Sequence, residues 1–222
     1  MSAMQTEELI RRLAGHAAPV RRLVHPGWRT MAWFTLSIAY TAAVVFVNGL
    51  RPDITARLAE PRFVIEISSA VLTALMAAAA AFCAGSPGRP VWERFAPLPF
   101  LALWLASLGD GCWRDWLRLG AAGLTVQQHF HCFPVILATG VPPAVLIFVM
   151  IRRGAPIAPF ATTGLAALAA AALGAVALRL FHIQDASIMV LVWQFGSVLA
   201  LTGLGALFGQ RLLPWPTADL GS

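Results

Sequence analysis

The chain has 222 residues, 59% of them hydrophobic and 12% charged. Soluble domains carry roughly 25% charge, so composition excludes an ordinary soluble domain and points to an all-α integral membrane protein. The net charge of +6 owes nothing to lysine, which is absent; in so apolar a chain the arginines report topology, and they imply no direct contact with nucleic acid.

The first element is the polar segment "TEELIRRLAGHAAPVRRL" at residues 6–23. Thr6 reads as a helix N-cap, with Glu7 and Glu8 in the first turn where they suit the helix dipole. Leu9, Ile10 and Leu13 fall on one apolar face, with Arg11 and Arg12 beside it. Such a helix either lies on a lipid surface or docks a partner. The apolar run that follows is too long for a signal peptide, and no small-residue cleavage site comes after it. Residues 1–28 are therefore expected to stay on the protein as a cytoplasmic segment.

Six spans follow within a transmembrane domain of residues 29–210, at about 30–49, 63–85, 95–112, 132–151, 159–181 and 188–208. Each approaches or exceeds the ~20 residues that cross a bilayer as helix. No period-two alternation supports strands, and an open sheet cannot span lipid. Pro142 and Pro143 should kink or break the fourth span. The inner joints are short and proline-bearing, so the spans form three hairpins. Trp104, Trp113, Trp116 and Trp193 suit an aromatic belt. Arginine is concentrated before the first span and in the joints near residues 89–94 and 152–153, which places both termini in the cytoplasm. Residues 211–222 form a short cytoplasmic tail.

Unusual polar residues gather at the outer ends of the spans. Glu66 lies early in the second, Asp110 and Cys112 end the third, and His129, His131 and Cys132 open the fourth. Arg179 and His182 end the fifth, and Asp185 follows. Ionisable groups in a membrane are costly unless paired or wet. Glu66, Asp110, Arg179 and Asp185 are read as one intramembrane polar layer, in which Glu66 and Asp110 pair with Arg179 to hold helices together. Cys132 and His129 are three apart and share a face if helical. With His131, and with His182 from the next outer turn, they suit zinc or copper. A Cys112–Cys132 disulfide is the competing chemistry, given Cα atoms within about 7 Å. No nucleophile with a recognisable base, no phosphate loop and no catalytic carboxylate pair is present, so no enzyme is expected.

Several short stretches stand in order along the chain: "GLRPD" (49–53), "EPRF" (60–63), "RRGAP" (152–156), "HIQDAS" (182–187) leading into "VLVWQFG", and "GQRLLPW" (209–215). Together they resemble the NrsF-type negative regulators of sigma F, six-span anti-sigma factors of the bacterial inner membrane. The resemblance implies that the N-terminal segment sequesters an extracytoplasmic-function sigma factor. It implies that periplasmic metal or oxidative stress releases that factor, sensed by two cysteines. Cys132 matches the first. His182 stands at the second position, eleven residues before Trp193, which implies a mixed Cys/His site or a substitute role for Cys112. Two other classes compete. A small metal or solute transporter would use the proline break and the polar layer, but these residues cluster at one face and form no path across. A haem-binding subunit would need histidines deep in a span, and these stand at the ends. No resident cofactor is required, and oligomeric state is not encoded in any pattern found.

Overall fold

The computed structural model describes residues 3–16, 23–120, 132–154, 158–181 and 196–207. Every regular element among them is helical. They are α1 (Ala3–His16), α2 (Pro26–Asn48), α3 (Ile54–Leu58), α4 (Pro61–Ala84), a 3₁₀ turn (Val91–Phe95), α5 (Leu98–Leu119), α6 (Cys132–Ile151), α7 (Pro159–Phe181) and α8 (Gly196–Leu207).

Prolines open these helices. Pro26, Pro61 and Pro159 are the first residues of α2, α4 and α7, where a missing N–H costs nothing and the fixed φ is already helical. The Nδ1 of His25 accepts the Gly27 N–H at 3.1 Å, so α2 starts at residue 26, earlier than the expected 30. The N-terminal helix also differs from expectation. It begins at Ala3, which places Thr6 inside the helix instead of at its cap. Glu8 pairs with Arg12 at 2.9 Å across one turn.

Among the described residues, four stretches are long and apolar enough to cross a membrane: Pro26–Asn48, Pro61–Ala84, Val91–Arg118 and Pro159–Phe181. The sequence had suggested six. α6 offers a shorter apolar stretch, Ala138–Ile151, and α8 spans 12 described residues. Large apolar side chains such as Trp28, Phe46, Val47, Trp92 and Leu117 face outward. A soluble protein rarely exposes so much apolar surface, and several helices this long and apolar suggest a membrane protein.

α7 is the hub and packs against α2, α4, α6 and α8. Its alanines, among them Ala166, Ala169 and Ala172, meet a second alanine-rich face on α4 that includes Ala70, Ala74, Ala77 and Ala81. Small residues let helix backbones approach closely, which is how helices associate where no hydrophobic drive exists. Gly174 of α7 lies over Gly140 of α6, where an added Cβ would come within 3.4 Å of the Gly140 Cα. Trp33, Phe82, Trp104 and Leu108 fill the remaining core. Trp104 is thus a core residue and not a belt residue. It shares the buried face of α5 with Leu108, one turn along, whereas Trp113 and Trp116 lie outward with ring centres 5.1 Å apart, and Trp193 lies outside the described residues.

The double proline does not break α6, which runs through Pro142 and Pro143 as one helix. Pro142 has no N–H for the carbonyl of Ala138, one helical turn earlier. The Tyr40 hydroxyl of α2 donates to that carbonyl at 2.7 Å. A neighbouring helix thereby satisfies the group the proline exposes.

Candidate functional site

The two ends of the bundle carry different chemistry. At one end, the stretch between α2 and α4 brings four charges together. Arg51 is buried, and its guanidinium donates from Nε to Asp53 Oδ1 at 2.7 Å and from Nη2 to Oδ2 at 2.8 Å. This two-pronged contact holds the Asp53 carboxyl well below the usual carboxylate range. Arg57 bridges Asp53 and Glu60 at 3.3 and 3.2 Å. The backbone N–H of Arg51 donates to the carbonyl of Leu180 at 3.1 Å, in the last turn of α7. Arg62 donates to the carbonyl of Ser107 on α5 at 3.3 Å.

Deeper at the same end, Arg179 of α7 meets Glu66 of α4. Nη2 donates to Oε2 at 3.0 Å, and Nε lies 2.7 Å from Oε1 as an ion-pair contact without hydrogen-bond alignment. The guanidinium also stacks over Phe63, 5.5 Å from its ring centre. Both side chains are buried. Asp110 does not join them. It sits on an outward face of α5 and pairs with Arg114 at 2.9 Å. Asp185 lies outside the described residues.

The sensor candidates are only partly described. Cys132 is the first residue of α6, at the same end as Glu66 and Arg179, and its side-chain surroundings lie outside the description. His129, His131 and His182 lie outside it too. Cys112 is half-buried near the end of α5. Among the described residues no three His, Cys, Asp or Glu side chains converge to hold a metal ion.

At the opposite end, Arg29 is buried near the start of α2. It stacks over Phe82 of α4, 4.6 Å from the ring centre. Its Nη2 donates to the carbonyl of Met150 in the last turn of α6. Its Nη1 has no partner among the described residues. Nearby, an added Cβ on Gly154 would fall 2.8 Å from the Gly85 carbonyl oxygen, so only glycine lets these two joints touch. Beyond α2, the N-terminal helix leaves its apolar face open: Leu9, Ile10 and Leu13 are 51%, 57% and 64% exposed.

A family model for negative regulators of sigma F (NrsF) matches residues 13–215. The chain belongs to this family. Among curated proteins and solved structures no significant match was found. The family name gives the broad role, negative regulation of a sigma factor, and the matched region starts at Leu13, within α1. Two of the stretches that carry the resemblance now have physical work. "GLRPD" supplies the Arg51–Asp53 clamp on the end of α7. "EPRF" supplies Glu60 to Arg57, Arg62 to α5, and the Phe63 ring beneath Arg179.

Sequence reasoning missed Arg29, Trp33, Tyr40 and Arg51. The signal for Arg29 was an arginine at the mouth of a span with no acidic residue within a helical turn. For Tyr40, the only tyrosine in the chain, it was a phenol in the middle of an apolar run.

Proposed function

We propose that this chain is a membrane anti-sigma factor. Six spans sit in a bacterial inner membrane with both termini in the cytoplasm. The N-terminal segment sequesters an extracytoplasmic-function sigma factor and releases it on periplasmic metal or oxidative stress. The observation that carries this reading is the open apolar face of α1 in a member of a sigma-regulating family. Leu9, Ile10 and Leu13 form the docking stripe, and Arg11 and Arg12 flank it with positive charge.

The sensing end is the one that holds Glu66, Arg179 and the head of α6. Cys132, with His129 or His131 and with His182, binds a zinc or copper ion there, or Cys132 and Cys112 exchange thiol for disulfide. Asp110, Asp185, Glu66 and Arg179 set the charge of this end. Ligation or oxidation can release the factor only by favouring the released state over the sequestering one.

The test is promoter output in cells carrying the full-length protein. Burying one such apolar side chain is worth about 1.5–3 kcal/mol. Leu9→Asp combined with Leu13→Asp should therefore derepress sigma-dependent genes by at least about tenfold. Cys132→Ser should abolish the response to metal or oxidant, and His182→Ala should weaken it. Full repression by the double variant would overturn the docking role, and an intact response in Cys132→Ser would overturn the sensing role.

A further inference from the structure

Three side chains of α2 donate to backbone carbonyls of α6. Arg29 reaches Met150, the Trp33 indole N–H reaches Pro143 at 2.9 Å, and the Tyr40 hydroxyl reaches Ala138 at 2.7 Å. The donors stand four and seven residues apart, spacings that return to one helix face. The acceptors run in the opposite direction, so the helices are antiparallel and joined along most of their length.

Two of these acceptors are carbonyls that α6 cannot satisfy by itself. Ala138 has lost its donor to Pro142. Met150 lies in the last turn, where helical carbonyls have no helical N–H. Side-chain-to-backbone bonds of this kind follow the position of the α6 backbone, whatever side chains it carries. The chain just beyond α2 also grips α7: Arg51 N–H holds Leu180 at 3.1 Å, two residues before His182. α6 and the last turn of α7 are thus both fastened to α2 and the residues just after it, and α2 runs from them to the residues that join α1.

We infer that α2 is the transmission element of the switch, with Arg29, Trp33 and Tyr40 as positioning residues that convert movement of α6 against α7 into movement at the tail. This rests on the anti-sigma reading for its biological output, while the mechanical coupling stands on the hydrogen bonds alone. The ladder stabilises the arrangement described, which the anti-sigma reading takes as the sequestering one, so weakening it lowers the stimulus needed for release. A purely architectural ladder would affect melting temperature and nothing else.

The experiment uses full-length protein in lipid nanodiscs and the same variants in cells. Tyr40→Phe removes one hydroxyl and keeps the ring. Amide exchange over residues 23–34 should rise about fivefold, the equilibrium equivalent of one neutral hydrogen bond, and the inducer dose for release should fall by about the same factor. Pro142→Ala in combination gives the Ala138 carbonyl an N–H from within α6 but leaves the α2–α6 bond broken, so it should restore melting temperature while exchange and dose stay at the Tyr40→Phe values. A lower melting temperature with unchanged exchange and dose would overturn the inference, as would a return of exchange and dose to wild-type values in the Pro142→Ala combination. Should Tyr40→Phe fail to fold, Trp33→Phe removes the Pro143 bond and is judged by the same exchange and dose criteria. If Leu9→Asp with Leu13→Asp leaves repression intact, the anti-sigma reading falls; exchange in Tyr40→Phe still decides the ladder.

Discussion

At one end of the bundle Arg179 meets Glu66 through contacts of 2.7 and 3.0 Å. At the other, Arg29 has no carboxylate among the described residues and rests on the Met150 carbonyl and the Phe82 ring. Both guanidinium groups are buried, yet they do different things. The first forms a closed ion pair, so α4 and α7 are held in one register and removal of either partner strands a charge. Among the described residues the second is held by neutral groups alone, and its departure strands no charge, only the Met150 carbonyl. The paired end behaves as an anchor, and the end beside the tail is the one free to shift.

The anchor gives the largest effect. Removing one partner of a buried pair costs about 3–5 kcal/mol, whereas replacing both with apolar residues of similar volume is often neutral. Glu66→Gln or Arg179→Met should each lower unfolding stability in detergent by that amount. The pair Glu66→Leu with Arg179→Met should recover most of the loss. Single variants within about 1 kcal/mol of wild type would show that the pair is not an anchor.

The tail end should respond more gently. Arg29→Met keeps length and apolar contact with Phe82 and loses one hydrogen bond to a carbonyl. Its stability should fall by less than about 3 kcal/mol, the upper end for one hydrogen bond to a charged group, while uninduced promoter output rises. A loss as large as that in Glu66→Gln would erase the distinction between the two ends.

What was legible in the sequence divides along the same line. Apolar run length and proline-bearing joints located α4, α6 and α7 to within about two residues, because a membrane leaves helices few alternatives. Glu66 and Arg179 were expected to meet because charges in apolar runs are scarce and seek one another. Asp110 entered the same expectation and has a local partner instead, Arg114, four residues along the same helix. The Arg29, Trp33 and Tyr40 contacts were not legible, because their acceptors are backbone carbonyls, which no residue letter marks. Pro142 and Pro143 were the available clue. They were read as a break, although a proline in a packed helix equally signals a carbonyl in need of a donor from elsewhere. Trp104 was misplaced because composition does not reveal which face of α5 meets α4. His129, His131, His182 and Asp185 lie outside the described residues, so the proposed ion site rests on their spacing in the sequence.

The central claim is that α1 holds a sigma factor, and the most direct test is equilibrium binding. Full-length protein in nanodiscs would be titrated with extracytoplasmic-function sigma factors from the same cell, alongside the Leu9→Asp and Leu13→Asp double variant. The account predicts saturable binding of at least one such factor by the wild type. It predicts a dissociation constant at least about tenfold weaker for the variant, as loss of two buried apolar side chains requires. Equal binding by the two proteins, or no binding by either, would contradict it.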